Sequence, residues 1–214
     1  MKKLLVVVLL LLAFGTMARA QKCAVGTNVL DWANLATVNA NVDYAISRHL
    51  SLVGEARWNG VKFKDPDPLF LGHRYVENKK FQLSAGVKYW PWYVFSGLNI
   101  GAKAFYKSYQ NSGMFTDDLE TGKRAALGLS VGYSFMITKH INIEVGVGGF
   151  AGYNFQYARY DCPCPECVEK GPVDLTSKLS YGFDRVLISG AKAQGPGFAY
   201  GLENIYLTLY YIFL

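Results

Sequence analysis

The chain has 214 residues, of which 51% are hydrophobic, 15% aromatic and 18% charged, with a formal charge of +6. That length suits one domain. Removal of Lys2, Lys3 and Arg19 with an N-terminal leader that holds no acid lowers the charge to about +3, too mild for a nucleic-acid binder.

The leader is residues 1–20. Lys2 and Lys3 form a positive start, Leu4 to Phe14 an apolar core, and Ala18-Arg19-Ala20 a small-residue cleavage site. This is the pattern of a secretory signal peptide, and the core is well short of the ~20 residues of a membrane helix. A lipoprotein signal does not fit, because Lys22 precedes Cys23 where a small residue is expected. The mature chain, 21–214, contains no apolar run long enough for a membrane helix. Export also permits disulfides.

The mature chain alternates apolar and polar residues over segments of about ten, the period of a half-buried strand. The first strand, near 24–32, has no clear phase. Segments 38–46 and 50–59 place Asn39, Asn41 and Asp43, then Ser51, Glu55 and Arg57, on the polar face. In 81–90, Phe81, Leu83, Ala85, Val87 and Tyr89 oppose Gln82, Ser84, Gly86, Lys88 and Trp90. In 97–107, Leu98, Ile100, Ala102, Ala104 and Tyr106 oppose Asn99, Gly101, Lys103 and Lys107. Segments 124–137 and 141–157 continue the pattern, the second with Glu144 on its polar face, and 200–214 closes with Leu207, Leu209, Tyr211 and Phe213 on one face. That makes eight strands and no convincing helix.

Connections alternate in length. Tight turns are predicted at Ser47-Arg48-His49, Pro91-Trp92-Tyr93 and Thr138-Lys139-His140, and long loops near 60–79, 108–123 and 158–198; only the connection near 33–37 breaks the pattern. ISRHLSL (46–52) and ITKHINI (137–143) share one form, so His49 and His140 read as turn residues. The predicted fold class is all-β: an eight-stranded antiparallel transmembrane up-and-down barrel with both termini periplasmic and the long loops outside. It would lie in the outer membrane of a Gram-negative bacterium, in contact with outer-membrane lipid.

A soluble lipocalin-like barrel has the same period with its faces inverted. Three features favour the membrane form. The polar face is sparse in charge and rich in Gly, Ser and Asn, which suits a crowded bore. Aromatics gather at strand ends in two girdles: Trp58, Phe81, Tyr106, Tyr153 and Tyr157 at one level, and Tyr44, Tyr89, Phe135, Tyr211 and Phe213 at the other. The chain also stops on an aromatic-rich strand, which would address the barrel-assembly machinery. Inside so narrow a bore, Asp43, Glu55 and Glu144 can face Arg57, Lys88 and Lys103. The bland reading of this charge network, a salt-bridged plug, outweighs a proton relay or gated pore.

The stretches TNVLDWANLATVNANVDY, KKFQLSAGVKYWPW…FSGLNIGAKAFYKSY and YARYDCPCPEC…YGLENIYLTLYYIFL resemble one family. It is the Bacteroidota outer-membrane β-barrel family catalogued as a domain of unknown function, number 3575. The resemblance implies an eight-stranded outer-membrane barrel without known catalysis, and hints at a surface or fimbrial protein as partner. It also implies a C-x-x-C pair after the seventh strand, matched by Cys164 and Cys167; Cys162 is extra. Outer-membrane barrels usually end on an aromatic, whereas here Leu214 follows Phe213.

The cluster DCPCPEC (161–167) falls in the last long loop. Cys23 lies at the other end of a barrel that spans ~30 Å of apolar thickness, beyond the ~7 Å reach of a disulfide. The loop cysteines therefore pair among themselves, as Cys164–Cys167 or Cys162–Cys167, with one thiol left over. The rival is a zinc site of three thiolates with Asp161 or Glu166. Structural zinc sites usually join two such pairs, and export favours oxidation, so the disulfide is preferred. No metal and no cofactor is expected. The expected role is structural or surface-interacting, through the long loops. The alternatives are a lipid-modifying outer-membrane enzyme using loop His73, with Ser108 or Ser112 beside it, and a soluble periplasmic binding barrel.

Overall fold

A computed structural model describes residues 23–33, 36–64, 75–112, 119–160, 169, 172, 186–189 and 195–213. The predicted signal peptide, His73 and the cysteines of the 161–167 cluster lie outside the described residues. Nine strands follow in chain order: β1 (Cys23–Asn28), β2 (Val38–Ala45), β3 (Leu50–Lys64), β4 (Tyr75–Tyr89), β5 (Gly97–Ser112), β6 (Leu119–Met136), β7 (Ile141–Tyr160), β8 (Val186–Ser189) and β9 (Gly197–Phe213). Eight of them close an antiparallel barrel, each paired with its sequence neighbour except across β8. The seam is β1 on β9, from Cys23 opposite Phe213 to Asn28 opposite Thr208. Closure leaves no open edge along that seam and brings the two ends of the barrel chain together.

The all-β, eight-stranded prediction holds, with four corrections of detail. First, a five-residue helix, α1 (Val29–Ala33), follows β1 where the sequence predicts strand to about 32. It is closed by a tight turn at Ala36, whose φ is +53°. Second, β8 lies inside the predicted loop 158–198 and pairs with the upper part of β9. Third, the strands run into the predicted loops near 60–79 and 108–123. β3 and β4 stay paired to Lys64 and Tyr75, and β5 and β6 to Ser112 and Leu119. Polar side chains such as Gln110 and Thr121 mask strand period there, yet they do not stop the backbone ladder. Fourth, the connection after β4 is longer than the Pro91-Trp92-Tyr93 turn. It returns Trp90 and Phe95 into the bore, with Phe95 at a φ of +67°.

Burial follows the sequence alternation but is inverted relative to a soluble protein. Asn39, Asn41, Asp43, Glu55, Arg57, Lys88 and Glu144 are buried, while Leu127 and Leu129 are each 70% exposed. Outward aromatics form both girdles except at Tyr157, which is buried. A bulge in β7 causes this correction. Lys123 pairs with Gln156 and Arg124 with Asn154, so Phe155 is the extra residue and the phase flips beyond it.

The two similar turns have one geometry. Ile46 and Ser47 N–H both donate to Leu50 O, and Ile137 and Thr138 N–H both donate to Ile141 O. Ser47 Oγ and Thr138 Oγ1 each accept from the N–H of the histidine two residues on. Each imidazole Nδ1 then reaches a carbonyl at the end of a neighbouring strand, His49 that of Trp90, just past β4, at 2.9 Å and His140 that of Ile212 in β9 at 3.2 Å. Histidine here ties a turn to the next strand.

Candidate functional site

The bore is filled in layers, which the strand register stacks from the turn end upward. At the turn end an apolar plug of Trp90, Phe95, Tyr210, Ile212 and Ala24 closes the barrel. The Trp90 indole N–H donates to Ser51 Oγ at 3.0 Å, so its polar edge is satisfied inside the plug.

Above the plug lies the first ionic layer. Lys88 Nζ sits 3.0 Å from Asp43 Oδ2 and 2.9 Å from Glu144 Oε1, and 3.3 Å from the Tyr210 hydroxyl. One ammonium thus serves two carboxylates from β2 and β7, strands that only the β1–β9 seam brings near each other. Tyr206 fits this layer because β6 and β7 offer glycine beneath it: a Cβ at Gly132 or Gly146 would fall on its ring or hydroxyl.

A second ionic layer follows. Lys103 Nζ bridges Glu55 Oε2 at 3.0 Å and Glu203 Oε1 at 2.8 Å. Arg57 Nε pairs with Glu55 and with Asp31 Oδ2, the latter at 3.2 Å. Gln82 Nε2 donates to Glu203 Oε1 at 3.1 Å. The structure therefore brings the six residues read from sequence into two groups, Asp43–Lys88–Glu144 and Glu55–Arg57–Lys103. Sequence reasoning missed Asp31, on α1, and Glu203. The second had a legible signal: Glu203 and Asn204 are consecutive polar residues in an alternating strand. The register shift at Gly148/Gly149 turns both of them inward.

Next comes an apolar septum of Phe105, Ala126, Phe150 and Ala199, with Phe105 and Phe150 edge to face at 6.0 Å. Above it the character of the bore changes. Lys107 and Arg124 stand directly opposite each other on β5 and β6, both pointing inward. The Tyr109 ring lies under both cations, 5.2 Å from Lys107 Nζ and 5.6 Å from the Arg124 guanidinium, and Phe150 lies 4.4 Å from the latter. Arg124 is held by neutral partners, donating to Asn154 Oδ1 at 2.7 Å and to the Tyr109 hydroxyl at 3.2 Å. At the rim, Tyr157 donates to Glu120 Oε1 at 3.4 Å.

Among the described residues no cluster of His, Cys, Asp and Glu has the arrangement of a metal site. Cys23 is a free thiol. No described helix is long and apolar enough to cross a membrane.

A family model described as a protein of unknown function (DUF3575) matches residues 5–180. The chain belongs to the DUF3575 family. The match takes in β1 to β7, and with them every member of both ionic layers except Glu203, Tyr206 and Tyr210. No curated protein and no solved structure matches the chain. For this DUF3575 chain the layered bore is thus the primary guide to function. It is a packed interior in whose lower half each of these charges has an opposite charge within reach, with no nucleophile held against a base among the residues just described.

Proposed function

We propose that this chain is a small outer-membrane β-barrel whose bore is plugged by side chains. It acts as a structural or surface-interacting scaffold through the connections at its upper end, without catalysis. The observation that carries the reading is the inversion of burial: the charges are inside, and an apolar belt faces out. On β6 the outward positions Ala125, Leu127, Leu129, Val131, Tyr133 and Phe135 are all apolar. From Ala125 to Phe135, at ~3.4 Å per residue and a ~40° tilt, that face stands about 26 Å tall, against the ~25 Å band of outer-membrane barrels. The girdle aromatics sit at both margins of this band, Trp58, Phe81 and Tyr106 above and Tyr89, Tyr211 and Phe213 below.

A soluble lipocalin-like barrel would reverse the assignment, with an apolar ligand cavity inside. The two ionic layers occupy that space here. Charges buried this way are tolerable when each is paired, and they leave no continuous path for a solute. Partners on this reading are outer-membrane lipid along the belt, the assembly machinery at the C-terminal strand, and a surface protein at the upper connections.

Fractionation of cells with a gel assay of heat-modifiability tests the proposal. The chain is expected in the outer-membrane fraction, migrating faster unheated than boiled. Recovery as a monodisperse periplasmic protein without detergent overturns it.

A further inference from the structure

The outer wall of the barrel is not uniform. Two hollows, each of about 740 Å³, lie one above the other across β4 to β7. The lower one lies within the apolar belt and is floored by small residues: Ala85, Ala104, Ala125 and Ala151. Ala125 stands in register between Tyr106 and Tyr153, so a methyl between two rings leaves a slot open to the outside. Phe198, in register with Tyr153, forms the far wall.

The upper hollow begins one outward row higher. That row runs Phe81, Ser108, Lys123, Gln156 in strand register, with Lys79 and Gln110 in the next. Here the outward face changes from apolar to polar. The β7 bulge sharpens the change by presenting Phe155 and Gln156 outward together. Among the described residues the lining includes Lys79 and Lys123 and no carboxylate. Lys79 has a partner, Glu77, at 2.6 Å. Lys123 is exposed and meets no acceptor among the described residues.

We infer that the paired hollows form a binding site for a phosphate-bearing lipid of the outer leaflet, with acyl chain in the alanine-floored slot and phosphate on Lys123, assisted by Lys79. The inference rests on the membrane reading above and goes beyond it by choosing one lipid chemistry at one place on the wall. Two features point to this occupant. The slot and the cations are contiguous along the barrel axis, in the order of a lipid's tail and head. At head-group height Lys123 meets no acid among the described residues, whereas a zwitterionic lipid would need an acid beside that base; the Glu77 carboxylate is engaged by Lys79 and Gln110. A lysine at such a surface attracts anionic lipid by about a fivefold factor in affinity.

The test uses the full mature chain incorporated into nanodiscs of zwitterionic phospholipid doped with diphosphoryl lipid A or with its dephosphorylated form. Lipid retained per barrel after mild detergent extraction is counted by mass spectrometry, and heat-modifiability is scored on the same samples. The wild type is expected to retain the phosphorylated probe about fivefold over the dephosphorylated one. Lys123→Gln should lose that preference, and Lys123→Arg should keep it. Ala125→Leu, which fills the slot from outside the fold's core, should lower retention of both probes equally. A barrel that inserts and is heat-modifiable, yet shows no phosphate preference or an unchanged one in Lys123→Gln, overturns the inference and leaves the membrane reading standing. A chain that fails to insert overturns both.

Discussion

The lower and upper halves of the bore solve the same problem in different ways. Below the Phe105–Phe150 septum, carboxylates outnumber cations: Asp31, Asp43, Glu55, Glu144 and Glu203 share Arg57, Lys88 and Lys103. Each cation there holds two acids. Above the septum, Lys107 and Arg124 oppose each other directly, and Arg124 is stabilised by an amide, a phenol and two ring faces. The lower half is thus a crosslinked plug in which removal of Lys88 strands two charges, while removal of Arg57 or Lys103 strands one because Glu55 keeps the other cation. In the upper half Arg124 is held by neutral and aromatic contacts that lose less when one member is removed. The comparison teaches where the fold's stability resides and where the molecule has freedom to vary.

The sharpest way to break this comparison is Lys88→Ala. It leaves Asp43 and Glu144 buried without a counter-charge, a change that costs about 3–5 kcal/mol. Urea unfolding in micelles should show a midpoint far below wild type; an unchanged midpoint would mean that the lower half is not a crosslinked plug. Next in size is Gly146→Val. The new side chain would meet the Tyr206 ring and force overpacking, with an expected loss of about 1–3 kcal/mol in the same assay. Arg124→Met sharpens the contrast from the other side. It removes a buried charge along with hydrogen bonds to neutral partners, and the net loss should stay below about 1.5 kcal/mol. A loss as large as that of Lys88→Ala would erase the distinction between the halves. Smallest are His49→Ala and His140→Ala. Each deletes one bond from a turn to a strand carbonyl, about 0.5–1.5 kcal/mol, and the two should match because the two turns share one geometry.

Much of this architecture was legible because a strand's period is two and a barrel has one wall. Once Asn39, Asn41 and Asp43 share a face with Glu55 and Arg57, closure sends all of them to the same interior. The alternating segments supplied the strand count, and the alternation of short and long connections the up-and-down order. What escaped was whatever breaks the period. The bulge at Phe155 is invisible in NFQYARY, where apolar and polar residues still alternate, so Tyr157 reads as a girdle residue although it points inward. At Glu203-Asn204 the break is visible as two adjacent polar residues, and it supplies Lys103 with its second carboxylate. Asp31 escaped for another reason: it reaches Arg57 from a one-turn helix too short for helical period to show. Which carboxylate meets which cation is likewise not a local property. Asp43 and Glu144 are about a hundred residues apart and meet only because the barrel closes.

The most direct measurement of the central claim is a photo-crosslink from the wall itself. A benzophenone amino acid in place of Leu129, in the middle of the outward row of β6, is irradiated in intact cells and its adducts are read by mass spectrometry. Lipid acyl adducts are expected at this position. Adducts to water or soluble protein alone, on a chain recovered from the periplasmic extract, would contradict a lipid-facing belt.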